Sequence, residues 1–205
     1  MMAVNQTKKE AILEVASAAF LRHGYRGASV NEMSRQSGIS KETIYRYFNN
    51  KEELFAAVLD QELDNYQRGI EKLDEVDLDR EPAEVLTQVG SMMLKLLLRE
   101  RTMALRLLIF NAGTRQPEIG RLYNERGPRK AFAALQRYFE RLQQRGMQSP
   151  CDSDELTDDF LAVLLHKAIL QHELNLKERL AANDIDAYVQ GLVQRFLRTH
   201  FRAAS

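Results

Sequence analysis

What this sequence lacks narrows its chemistry first. Cys151 is the only cysteine, so no intramolecular disulfide can form and no paired-cysteine metal or redox motif exists. It sits in Ser-Pro-Cys-Asp beside acids, a poor setting for a reactive thiolate. There is no Gly-rich phosphate loop, and no candidate nucleophile has an identifiable base. The chain is therefore expected not to be an enzyme and to need no cofactor. His166 and His172 fall on different faces of a helix, unlike the i, i+4 histidines of a helical zinc motif, so no metal site is expected. The most apolar stretch, SMMLKLLLRERTMALRLLIF, is broken by Lys95, Arg99, Glu100, Arg101 and Arg106, whereas a membrane span needs ~20 predominantly apolar residues. The start, MMAVNQTKKEAILEV, carries charges where a secretion signal needs its apolar segment. We expect no membrane partner and a cytoplasmic location.

Charge of one sign is also missing. The 205 residues carry 29 Lys and Arg against 29 Asp and Glu. The neutrality hides a division. Residues 1–51 hold eight basic side chains and four acidic ones, and the remainder is acidic by the same margin. A basic front on an acidic body gives one end an affinity for polyanions.

Four prolines and ten glycines leave long amphipathic runs, and no strand pattern or internal repeat interrupts them. The fold class predicted is all-α. A first helix runs from about Thr7 to His23 on the stripe Ile12, Val15, Ala16, Ala19 and Phe20, and Gly24 and Gly27 end it. Ser29-x-x-Glu32 reads as a capping box opening a short helix, which Gly38 breaks. Ser40 is placed to cap a second short helix with Ile44 and Phe48 inward, and Asn50 with Glu53 opens a long one to about Ile70. Helix, Gly turn and short helix within about fifty residues form a helix-turn-helix, whose second helix enters the DNA major groove.

If Ile44 and Phe48 face inward, Lys41, Glu42, Thr43, Tyr45, Arg46 and Tyr47 remain outside. Lys41 and Arg46 can donate to guanine O6 and N7, and Thr43 can meet a phosphate or a thymine methyl. Tyr45, Tyr47 and Lys51 suit phosphate oxygens. Ser29 and Ser40, at the two helix starts, complete the DNA-facing set.

GISKETIYRYFNNKEEL resembles the recognition segment of the TetR family of transcriptional regulators: Gly38 at the turn, Thr43, Tyr45 to Phe48, then Lys51-Glu52-x-Leu54. AFLRHGYRGASVNEMSRQSG matches too, through Phe20, Gly24, Tyr25 and Ser29. Glu42 departs from the pattern, where a small residue is common; a carboxylate there repels phosphate, so it would read cytosine N4 or orient Lys41. RLYNERGPRKAFAALQRYFERLQQRG resembles the AefR-like subgroup. The resemblance implies a C-terminal domain that binds a small hydrophobic or amphipathic effector and forms a homodimer.

The expected architecture has about nine helices. Residues 1–50 form a three-helix DNA-binding domain, 51–72 a connecting helix, and 73–205 a helical ligand-binding and dimerisation domain. Helices are expected near 83–99 and 101–112, from Pro117 with a break at Gly127-Pro128 to about Gln144, and over 154–179 and 184–202. The last two should pair with their copies. A Met-rich apolar zone suggests effector contacts at Met92, Leu96, Met103, Phe110 and Tyr123, with His166 as a hydrogen-bonding candidate or a core histidine. The function expected is a ligand-responsive repressor released from a palindromic double-stranded operator. A DNA-binding regulator without an effector, and a helical protein-interaction module, stay open as alternatives.

Overall fold

Caps and breakers decide where the helices begin and end. The computed structural model describes residues 2–201, with side chains described over 7–64 and 67–201. Among these residues there are ten α-helices and no strand: α1 Met2–Gly27, α2 Val30–Ser37, α3 Lys41–Tyr47, α4 Lys51–Glu71, α5 Pro82–Leu97, α6 Glu100–Gly113, α7 Pro117–Arg126, α8 Pro128–Gln144, α9 Ser153–Glu173 and α10 Ile185–His200. Proline opens α5, α7 and α8, where its missing N–H would have had no helical acceptor. Asp152 and Glu155 cap α9 reciprocally, through Glu155 N to Asp152 Oδ1 at 2.9 Å and Asp152 N to Glu155 Oε2 at 3.1 Å. None of the described helices is long and apolar enough to cross a membrane.

Two local expectations are corrected, at Ser29 and at the end of α9. The Ser29 side chain makes no cap bond. Glu32, the other half of the expected box, is engaged by Gln36 at 3.1 Å and by His23 at 3.4 Å. The first helix does break after His23, where Gly24 leaves the helical region at φ 70° and ψ 171°, and one further turn follows to Gly27. Helix α9 stops at Glu173 rather than near 179, and Asn175 turns the chain with φ 49°. Of the last helix expected over 184–202, residue 202 lies outside the described residues.

The chain forms two compact units. One comprises the chain up to Asp64 with Ala104–Arg126; the other comprises Asn65–Met103 with Gly127 onward. The units are thus interleaved in sequence, because apolar residues of α6 and α7 join the N-terminal core. In that core Ile12, Phe20, Met33, Ile44, Phe55, Ile109 and Ile119 are each at most 3 % exposed. Phe20, Tyr25 and Phe55 pack ring against ring, with Phe20 edge-on to Phe55 at 4.9 Å. Arg126 of α7 binds Asp60 of α4 at 2.8 Å.

In the second unit α5 lies against α10, and α8 against α9. Gly90 permits the first approach: a Cβ there would sit 2.9 Å from Val189 Cγ1 and 3.2 Å from Leu164 Cδ1. Phe139, Phe160 and Phe196 fill the centre, 5.3–6.2 Å apart between rings. Arg137 and Arg141 of α8, with Arg145 at its C-terminal cap, grip the segment after α4. Arg137 pairs with Asp74, and Arg141 donates to the carbonyls of Leu73, Asp74 and Val76 at 2.8–2.9 Å. Arg145 reaches Asp79 at 2.7 Å.

Candidate nucleic-acid interface

The turn between α2 and α3 is built by Gly38, whose φ of 66° lies in the left-handed region that a side chain would strain. Ser37 supports it by accepting from Ile39 N at 3.2 Å. Ser40 then caps α3, accepting from Thr43 N at 3.2 Å and donating to Thr43 Oγ1 at 3.1 Å. Ile44 and Phe48, 1 % and 4 % exposed, pin the inner side of α3 into the core. The orientation of the outer side follows from that anchorage.

Lys41, Glu42, Tyr45 and Arg46 are exposed. The Lys41 ammonium stands 5.9 Å from the Tyr45 ring centroid. Thr43 and Tyr47 are half-buried, Thr43 holding the cap serine and Tyr47 lying against the core. Ser29 is half-buried at the start of α2. The Glu42 carboxyl is held below the usual carboxylate range, first by its own backbone N–H and then by the Ser40 hydroxyl and nearby Lys41. It therefore stays ionised on a surface otherwise suited to phosphate.

Lys51 is differently placed. Its ammonium donates to the Arg26 carbonyl at 3.0 Å and lies 5.1 Å from the Tyr25 ring centroid, and burial pushes its pKa down. Tyr25 is a supporting residue that periodicity did not single out, since its partner Lys51 is distant along the chain. A sequence pattern records neighbours on a helix, not a lysine folding back onto a distant carbonyl.

Family models place this geometry. Residues 12–58 match the bacterial regulatory proteins of the tetR family, and residues 84–200 match the AefR-like transcriptional repressor C-terminal domain. The chain belongs to the TetR family. Members of this family and the relatives of this chain are transcriptional regulators, not enzymes. The transcriptional repressor ComR of Escherichia coli is 27% identical over 171 residues, 80% of each chain. The repressor SCO4008 of Streptomyces coelicolor is 40% identical over 58 residues, which span 28% of this chain and only 30% of that protein. A TetR-family regulator of Mesorhizobium loti shares the architecture at TM-score 0.78 and 26% identity, over 96% of this chain and 98% of that one.

In this TetR chain the residues expected to meet an effector are divided between the two units. Met92 and Leu96 line a groove of about 630 Å³ between α5 and α10. Met103 is buried in the same unit without lining that groove. Phe110, 51 % exposed, and the half-buried Tyr123 belong to the other unit. His166 is exposed on α9 and is not a core histidine. The groove's polar wall, with Ser91, Lys95, Arg99 and Asp186, carries no sequence signal of its own, because α10 supplies one side. Cys151 lies 3.8 Å from His200 Nδ1; burial, then Glu155, Asp159 and Asp152, push its thiol up and away from thiolate chemistry.

The outward side of α9 is charged in its first half, at Asp154, Glu155, Asp158 and Asp159, and mixes His166 and Lys167 with exposed apolar residues further on. Val163, Leu170 and Leu174 are 49 %, 42 % and 59 % exposed, and Leu176 just beyond is 40 % exposed. The apolar stripe of α10 points the other way: Ile185, Val189, Leu192, Val193 and Phe196 are at most 4 % exposed. That stripe is core of the single chain.

Proposed function

We propose that this TetR-family chain is a transcriptional repressor that binds a near-palindromic duplex operator as a homodimer and leaves it when a small hydrophobic or amphipathic effector binds. The observation that carries this reading is the outer side of α3, where Lys41, Tyr45 and Arg46 stand exposed above the buried Ile44 and Phe48. Lys41 and Arg46 read base edges, and Tyr45, Tyr47 and Lys51 hold phosphates, with Thr43, Ser29 and Ser40 at the helix starts. Glu42 disfavours close approach of a phosphate and restricts which base can face it. The similarity to the repressor ComR over most of both chains supports the sign of regulation.

Residues 1–50 serve as the DNA-reading part, 51–72 as the connecting helix, and 73–205 as the effector and dimer part, in the cytoplasm. Dimerisation falls to the last two helices, chiefly through the exposed apolar residues in the second half of α9. A two-fold dimer gives half-sites one helical turn or a multiple apart. Helix α4 contributes residues to both compact units.

Selection from random duplexes with the purified protein tests the reading directly. It should enrich an inverted repeat; recovery of no preferred sequence overturns it. The effector part is tested by linkage: a ligand that weakens operator binding by some factor is itself weakened by operator in the same proportion.

A further inference from the structure

The groove between α5 and α10 has a shape and charge order that specify what it can hold. Its floor is one side of α5, from Glu84 through Ser91, Met92 and Lys95 to Leu96, and it continues to Arg99 just past the helix end. At 1.5 Å rise per residue that helical run is about 20 Å long. A volume of about 630 Å³ spread over that length leaves roughly 30 Å² of cross-section, room for one extended chain. The volume itself lies within the ordinary range for small-molecule sites.

The two ends differ in charge. Arg99 has no ion-pair partner among the described residues, whereas Glu84 marks the opposite end, with Arg80 4.0 Å from its carboxylate. Between them Lys95 is already neutralised by Asp186 at 2.7 Å, which holds that carboxyl below its usual range. Arg99 is thus the cation left to receive an anion. Met92 and Leu96 provide apolar wall beside it.

Midway lies an unmet polar group. Ser91 is 6 % exposed, and its Oγ is buried without closing a hydrogen bond, although it lies near enough to Asp186 to help hold that carboxyl down. A buried hydroxyl left unpaired is unfavourable, and one lining a cavity invites a partner from whatever fills it. Along α5 it stands about 8 Å from Leu96, with Arg99 just beyond the helix end.

We propose that this groove binds a slender amphipathic monoanion, with its carboxylate or equivalent head on Arg99 and its chain running past Leu96 and Met92 beside Ser91. The proposal deepens the effector reading and rests on it only for the effect on DNA, since binding is measured without DNA. Because the chain has no tryptophan, Gln190→Trp places a single reporter on the α10 wall of the groove.

Titration of the full-length chain with decanoate should shift the emission of the Gln190→Trp protein, and calorimetry on the unmodified chain should give one saturable event. Decanol, the same chain without charge, should bind about tenfold more weakly. Arg99→Gln should bring decanoate down to the decanol level and leave decanol unchanged. Ser91→Ala should raise the thermal midpoint of the free protein, by removing an unpaired hydroxyl. Unchanged decanoate affinity in folded Arg99→Gln, or saturable binding with no change in the Gln190→Trp emission, overturns the site. Groove binding that leaves operator affinity untouched upholds the site and overturns the effector reading instead.

Discussion

Two exposed surfaces, on α3 and on α9, belong to helices whose other sides are equally well buried, and they differ in chemistry. Behind α3 stand Ile44 and Phe48; behind α9 stand Leu156, Phe160 and Leu164, all 0 % exposed. In front, α3 presents an ammonium, a guanidinium, a phenol and a carboxylate, while the second half of α9 sets the exposed Val163 and Leu170 beside His166 and Lys167, with Leu174 just past its end. Apolar side chains in water are unfavourable in proportion to their area, so a row of them on one helix points to a partner that covers it. Charged side chains are stable in water, and their placement matters only for what they can recognise. The first surface suits a polyanion and the second suits another apolar surface.

The largest expected effect breaks this comparison from the inside. Val193→Asp places an unpaired carboxylate at a position 0 % exposed within the second unit. It should lower stability by about 4 kcal/mol or more, and denaturant unfolding should show loss of the native state before any question of assembly arises. Leu170→Asp makes the same chemical change at a position 42 % exposed. Measured where both proteins are monomeric, its unfolding free energy should stay within about 0.5 kcal/mol of the parent. Sedimentation should nevertheless show a monomer at concentrations where the parent is a dimer. Operator affinity should then fall by about 10²–10⁴, the contribution of the second half-site. A dimeric Leu170→Asp protein places the interface elsewhere.

This contrast marks how far the sequence could be read. The all-α class, the helix-turn-helix and the inward Ile44 and Phe48 were legible, because local periodicity and caps determine them. The α10 stripe through Val189 and Val193 was equally visible, but amphipathicity records only that one side of a helix is covered. It does not say whether the cover is the same chain, and here α5 provides it through the notch at Gly90. The effector zone was legible in composition, and its residues divide between the two units. Met92, Phe110 and Tyr123 share chemistry yet fall in different units, while Ser91 and Arg99 gain meaning only beside α10.

At α3 the comparison is sharpened base by base. Arg46→Ala should weaken operator binding by about 1–3 kcal/mol and relax preference at one position, as competition with single-base variants would show. Glu42→Gln should strengthen binding to all duplexes while narrowing the gap between operator and random sequence. The Glu42 carboxyl is held below its usual range, so it remains charged down to lower pH than an ordinary glutamate. The advantage of the glutamine should therefore persist unchanged as pH falls from neutrality, and shrink only once Glu42 itself protonates. A pH titration of both proteins on one duplex checks the sign.

Smaller effects follow from the α8 arginines. Arg141→Lys keeps the charge and loses the fork that spans three carbonyls, and it should lower stability by about 1–2 kcal/mol. Arg145→Gln breaks an exposed ion pair and should change it by less than about 0.5 kcal/mol. Equal losses in the two variants would show that charge, rather than the carbonyl grip, holds the segment after α4.

The smallest stability change and the finest distinction concern Lys51, which can be an anchor for phosphate or a brace for the turn at Arg26. Burial lowers its pKa below the ordinary lysine value, so the unfolded chain binds the proton more readily than the folded one. The penalty on the charged form is present in full below the folded pKa, and stability rises as pH climbs from there towards the unfolded value. Lys51→Met removes that penalty and keeps an apolar chain on Tyr25, but it loses the hydrogen bond to the Arg26 carbonyl. These effects oppose one another, so the unfolding free energy at neutral pH should move by about 0.5 kcal/mol or less. Its alkaline rise should disappear. DNA separates the two roles. If the ammonium turns from Arg26 to a phosphate on binding, the variant should lose affinity for operator and random duplex alike, and the slope of log affinity against log salt should flatten by about 1 per half-site. A brace that never leaves Arg26 gives the same flat stability result with the salt slope intact.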